Sequence, residues 1–161
     1  MEKSFQDHYP PSYRHCYGCG PDNVHGLQIK SYWEDGEHTI AVFQPKEYHQ
    51  AFPGYVYGGL IASLIDCHST GTAAAAAYRA EDRPHGSEPH MRFVTASLHV
   101  DYLQPTPLGP DLHIQGTIVE IKDRKVVVET KVIVDGEITA KGKVVAIKIP
   151  EHLVTDDTAG K

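Results

Sequence analysis

The chain has 161 residues, 40% hydrophobic and 22% charged, the balance of one globular domain with its own core and too little for two. A net charge of −6 argues against sequence-independent nucleic-acid binding, which needs a basic surface. Three cysteines do not make a disulfide framework, and the polar start Met1–Pro11 shows no export or organelle signal, so a reducing cytoplasm is the expected compartment.

Residues 1–14 are polar, contain Pro10-Pro11, and read as a loosely held arm before a domain spanning 15–150. Cys16 to Gly26 is dense in turn formers. Strands are predicted over Leu27–Trp33 and His38–Phe43, joined at Asp35-Gly36. Pro45 to Pro53 is irregular. From Gly58 the pattern turns helical: Leu60, Ile61, Leu64, Ile65 and His68 share one stripe, and five consecutive alanines extend the helix. Glu81 to Pro89 is a polar loop. Alternation over Val94–Tyr102 predicts a strand, and further strands follow over Leu112–Lys122, Lys125–Val134 and Glu137–Ile149, the last pair joined at Asp135-Gly136. Residues 151–161 read as a polar tail. The most apolar stretch, Gly54–Tyr78, is broken by Asp66 and His68, so no membrane span is expected. The fold class is α+β, an antiparallel sheet covered by one long helix.

With Leu60, Ile61, Leu64 and Ile65 turned to the sheet, the opposite helix face carries Gly59, Ala62, Ser63, Asp66, Ser69, Thr70 and Ala73. A solvent-facing helix would place long charged side chains there. Small residues around a single acid indicate a face that is also covered, and a second copy of the chain is the expected cover. An acid in such a place is costly unless hydrogen-bonded or used, which makes Asp66 the candidate catalytic group. Tyr57-Gly58-Gly59 begins the helix and offers unobstructed amides at the positive end of the helix dipole. Asp66 lies eight residues beyond Gly58, about 12 Å along the axis. Attack on a carbonyl needs approach to about 3–3.5 Å. One helix therefore cannot both hold a carbonyl at Gly58 and attack it with its own Asp66. Two antiparallel helices in a homodimer, or in a dimer of dimers, would bring each Asp66 to the other chain's Gly58.

These residues resemble a known family. Tyr57-Gly58-Gly59 followed by Asp66, the approach Phe52-Pro53-Gly54, the head Cys16-Tyr-Gly-Cys-Gly-Pro-Asp-Asn23 and the strand Thr95 to Pro105 are similar to hotdog-fold acyl-CoA thioesterases of the PaaI-like type. The resemblance covers roughly residues 16–149. It implies a hotdog fold, an antiparallel sheet wrapped around a central helix, and hydrolysis of acyl-CoA to free acid and coenzyme A. Gly58 would polarise the thioester carbonyl, the partner chain's Asp66 would act as general base or nucleophile, and Thr95 would orient water or the acid. Coenzyme A is part of the substrate, and no separate cofactor is implied. The family histidine is Tyr57 here, and an upstream carbonyl-facing amide has only Gln50 and His49 as candidates. The substrate-contact set is Tyr57, Gly59, Ser69, Thr70 and Gln50. Lys122, Arg124 and Lys125 at a hairpin tip could meet coenzyme A phosphates. A non-catalytic acyl-CoA-binding or regulatory protein on the same fold is the alternative.

His68, on the apolar stripe, reads as a bonded core histidine, and Cys67 as a small buried hydrophobe. Cys16 and Cys19, with His15 and His25 nearby, fall short of the spacing of a four-ligand zinc site, so no metal is expected and the segment reads as a turn. Neither a phosphate-cradling P-loop nor a G-x-S-x-G nucleophile elbow occurs.

Overall fold

A computed structural model describes residues 1–153. Of the predicted tail, Glu151–Leu153 form an exposed 3-10 turn and residues 154–161 lie outside the described residues. The strands are β1 (Ser31–Trp33), β2 (His38–Phe43), β3 (Phe93–Tyr102), β4 (Leu112–Lys122), β5 (Lys125–Val134) and β6 (Glu137–Lys148), with one α-helix, α1 (Gly58–Ala80), between β2 and β3. They form a single sheet in the order β1-β2-β4-β5-β6-β3, every neighbouring pair antiparallel. This is the hotdog architecture, and the predicted order of elements holds throughout. The first strand starts at Ser31 rather than Leu27 because the preceding residues pair elsewhere. Leu27 N–H donates to Tyr17 O (2.7 Å), Ile29 N–H donates to Gly18 O (3.1 Å), and Gln28 has φ 51°. No helix among the described residues is long and apolar enough to cross a membrane.

α1 packs across one face of the sheet, against β3, β4, β5 and β6. Ile61, Leu64 and Ile65 are buried, as the stripe predicts, on Val128, Val132, Ala140 and Val144. Burial of each such side chain is worth about 1.5–3 kcal/mol. The close approach depends on two sheet glycines. A Cβ at Gly142 would lie 2.4 Å from Ile65 Cγ2, and one at Gly116 would lie 2.7 Å from Thr39 Oγ1 and 3.2 Å from His68 Nε2. The polar groups on the sheet-facing side are paired across the interface. His68 Nδ1 lies 2.9 Å from Ser31 Oγ and Nε2 lies 3.1 Å from Thr39 Oγ1, which in turn meets Thr72 Oγ1 at 2.6 Å.

The N-terminal residues are not a loose arm. Ser4 caps a 3-10 turn over Phe5–His8, and Phe5 and Gln6 are buried. The Gln6 amide brackets Ser31, accepting from its N–H (2.8 Å) and donating to its Oγ (3.3 Å). Gly71 faces this segment, with Gln6 Nε2 3.2 Å from where its Cβ would be. The helix from Gly71 to Tyr78 is therefore buried all round by the chain itself, where a second copy was the expected cover. The residues left half-exposed are Gly58, Gly59, Ala62, Ser63, Asp66 and Thr70.

Burial holds the His68 imidazole down to about 4 from an ordinary 6.5. Between those values the unfolded chain binds more protons than the folded one, so stability is full above about pH 6.5 and falls as pH drops toward 4. Near pH 5 the contribution lost is about 2 kcal/mol. Urea unfolding near pH 7 and near pH 5 should show a smaller pH-dependent drop in His68→Gln than in the wild type, and equal drops would refute the assignment.

Candidate active site

Asp66 sits on the third turn of α1, and its carboxylate Oδ1 accepts a hydrogen bond from the Thr95 hydroxyl near the start of β3. A β-bulge makes that contact compatible with the rest of the strand. Thr95 pairs with Ala146 and Ser97 with Val145, which leaves Ala96 as an extra residue. Strict alternation would put Thr95 and Tyr102 on opposite faces of β3. With the bulge, Thr95, Leu98, Val100 and Tyr102 all stand across from inward-facing residues of β6, namely Ala146, Val144, Gly142 and Ala140. Asp66, Thr95 and Thr70 line a cavity of about 500 Å³, whose opposite wall is Tyr13, His15 and Cys16 from the N-terminal segment. Thr70 does not touch the carboxylate. Its hydroxyl donates to the main-chain oxygens of Asp66 (3.1 Å) and Cys67 (3.2 Å).

The start of α1 is a separate place. Tyr57 is its N-cap in extended conformation and makes no side-chain capping bond. The Gly58 and Gly59 amides have no acceptor among the described residues. Two tyrosine rings close on this end because both positions lack a Cβ. A Cβ at Gly59 would lie 2.4 Å from the Tyr57 ring, and one at Gly58 would lie 3.4 Å from the Tyr102 ring. The Tyr102 hydroxyl donates to Gly58 O (2.7 Å), and burial, with Tyr57 second, raises its pKa. Gln50 is exposed and bridges Val56 through the backbone, while Tyr57 N–H donates to His49 O (2.8 Å). Neither Tyr57, Gly58 nor Gly59 lines the Asp66 cavity. The helix between them is continuous, so about 12 Å of axis separates Gly58 from its own Asp66.

Two predicted contacts lie elsewhere. Ser69 is buried and faces the sheet, its hydroxyl 2.8 Å from Thr130 Oγ1, because it follows Ile65 by one helical turn and shares that residue's side. Lys122, Arg124 and Lys125 are at the β4–β5 hairpin tip, outside the cavity, with Lys125 paired to Glu120 at 3.1 Å.

The cavity also has residues that sequence reading did not single out as site residues. Cys67 meets Cys16 with the sulfurs 3.8 Å apart, and Cys19 Sγ lies 3.8 Å from the Tyr9 hydroxyl. Hydrogen bonds from Cys19 and then Cys67 drive the Cys16 thiol down, and Cys16 in turn pushes Cys19 up to about 12 and Cys67 up as well. The CxxC spacing signals a thiol pair, but nothing in the sequence joins it to a cysteine 51 residues away. Tyr102 shares the Leu98 and Val100 face by simple alternation, but nothing local joins it to Gly58, 44 residues away.

The fold and part of the sequence recur in known proteins. A thioesterase superfamily profile matches residues 53–141. A thioesterase superfamily protein of known crystal structure from Shewanella loihica PV-4 is 49% identical, with a TM-score of 0.66, covering 88% of this chain and 100% of that one. The PaaI protein of E. coli shares the fold at 14% identity and a TM-score of 0.62, over 77% of this chain and 81% of that one. The acyl-coenzyme A thioesterase THEM4 of Xenopus laevis is 38% identical over 87 residues, 54% of this chain and 33% of the relative. The chain thus spans about a third of the length of the curated relatives it matches.

The cavity wall rests on Gly18, where a Cβ would lie 2.2 Å from Cys67 Sγ. Gly18→Ala should force the N-terminal segment off α1 and cost about 1–3 kcal/mol. Urea unfolding together with faster proteolysis within residues 1–26 checks this, and an unchanged midpoint would refute it.

Proposed function

The chain belongs to the thioesterase superfamily, and on that premise we propose that it hydrolyses acyl-CoA thioesters at two equivalent sites, each shared between two protomers of a homodimer. The observation that carries this reading is the division of β3's helix-facing side. The Asp66–Thr95 pair stands at one end and the Gly58–Tyr102 pair at the other. Among the described residues β3 pairs only with β6, so there its outer edge is a free ten-residue strand with exposed Val94, Leu98 and Tyr102, a template for a second strand. Antiparallel pairing of two β3 strands about a twofold near Leu98 sets each Asp66 opposite the partner's Gly58. The half-exposed stripe of small residues on α1 then meets its own copy.

In this reading the thioester carbonyl accepts a hydrogen bond from the partner's Gly58 N–H at the positive end of α1. Asp66, held by Thr95, takes a proton from the attacking water, or attacks directly to give a mixed anhydride that water then opens. The tetrahedral oxyanion collapses onto the acid and expels coenzyme A as its thiolate. General-base help contributes about 10²–10⁴-fold, and one oxyanion donor about 2.7–4 kcal/mol. Tyr57, where the family has histidine, leaves the Gly58 amide available. The basic tip residue Lys125 aligns across β6 with the Val94 end of β3, the Asp66 end, which suits it, Lys122 and Arg124 to the coenzyme A phosphates. Cytoplasmic residence, suggested by three free cysteines, belongs to the same reading.

Release of free thiol from a panel of acyl-CoAs tests the chemistry. Asp66→Asn should lower turnover about 10²-fold or more with binding kept, and Thr95→Val should lower it by less. Saturable binding without turnover in the wild type would replace hydrolysis with a binding role. A second experiment tests the shared site. Gly58→Pro removes the amide donor at a helix position that tolerates proline. Mixed with Asp66→Ala chains it should recover roughly a quarter of wild-type activity, because each heterodimer keeps one intact site. With both variants folded and dimeric, no recovery would overturn the composite site.

A further inference from the structure

We propose that Cys16, Cys19 and Cys67 together bind one Zn²⁺ ion, which fastens the N-terminal segment to α1 beside Asp66. Their three Sγ atoms lie within 4.8 Å of one another. They come from a loop and a helix, and the Cys16–Cys67 pair is 3.8 Å apart. A tetrahedral ion with Zn–S bonds of about 2.3 Å has S···S edges of about 3.8 Å. Cysteines acting only as small core hydrophobes have no reason to turn their sulfurs toward one point.

The loop is shaped for this convergence. Gly18 permits Cys67 to approach, since a Cβ there would lie 2.2 Å from its sulfur. Gly20 permits the turn itself, since a Cβ there would lie 2.5 Å from both Arg14 O and Cys16 N, and its N–H donates to Cys16 O at 2.8 Å. The Gly20 N–H bond to Cys16 O closes the turn that brings Cys16 and Cys19 side by side. Thiolate ligands select a soft or borderline cation and disfavour Mg²⁺ or Ca²⁺. Three thiolates leave a fourth position, which opens on the cavity that also holds Asp66, Thr95 and Arg92. That position takes water or a solute, in a cavity that Arg92 also lines, its guanidinium over the Tyr13 ring. The role assigned to the ion is mechanical: it holds one wall of the cavity against the helix that carries the acid.

The test uses the full chain purified under reducing conditions. Elemental analysis should find about one Zn²⁺ per chain after dialysis. Titration of the stripped protein with Co²⁺ should produce thiolate-to-cobalt charge-transfer absorption and tetrahedral d–d bands. Zn²⁺ should slow alkylation of all three cysteines, read by mass spectrometry. Cys16 is exposed, so Cys16→Ser should keep the wild-type circular dichroism spectrum while lowering Zn²⁺ affinity by more than about 10–100-fold. Cys67→Ser should abolish the charge-transfer band. The proposal is overturned if Zn²⁺ is retained well below one per chain, if Co²⁺ gives no charge-transfer band, if alkylation is indifferent to Zn²⁺, or if the isolated protein holds two of the three as a disulfide.

Discussion

The whole molecule depends on how closely one helix can lie on a sheet. Ile65 and His68 sit where Gly142 and Gly116 present no side chain, and this lets α1 sink until its apolar stripe is fully buried. Depth on one side creates demands on the other. The imidazole and hydroxyls on the sheet-facing side must find partners without water, and they do so in Ser31, Thr39 and Thr130. The far side of the helix must be short, because anything laid on it comes close to the helix backbone.

Two different things use that far side. Along Gly71–Tyr78 it is covered by the chain's own N-terminal turn, with Gln6 laid against Gly71. Around Cys67 the Cys16–Gly20 loop continues the cover and forms the wall of the Asp66 cavity. From Gly58 to Asp66 it stays half-exposed, beside an edge strand whose outer hydrogen-bonding groups are unpaired among the described residues. The chain thus supplies its own cover where the helix ends and leaves open the part that holds the acid and the glycine amides.

The bulge at Ala96 gives this open part its polarity. It puts a hydroxyl at one end of β3 and a phenol at the other onto the same face, so that Thr95 meets Asp66 and Tyr102 meets Gly58. The two elements of the proposed reaction, an acid and an amide donor, are thereby tied to opposite ends of one strand. A twofold through the middle of that strand is the operation that reunites them, which is why the proposed chemistry and the proposed assembly stand or fall together.

Much of this was legible in the residues. The order of two strands, a helix and four strands followed from periodicity and turn chemistry, since those signals are local. Asp66 stood out because it is a lone acid among small residues, and the glycine pair because of its place at a helix start. The bonded state of His68 followed from its position on an apolar stripe. What the residues did not reveal were contacts that close over long stretches of chain. Gln6 on Ser31 turns a polar arm into a buried element, Ser69 turns to Thr130 rather than to the acid, and Cys67 joins Cys16 across the helix. The bulge also inverted half of a strand whose alternation looked regular. By itself the sequence determined which segments are helix and strand and where the acid and the amides lie along them, because hydrophobic period and turn chemistry act between near neighbours. Only the tertiary structure decided which faces meet and which sulfurs converge, because one extra residue in a strand, or one missing Cβ, moves those distances by more than any local pattern records.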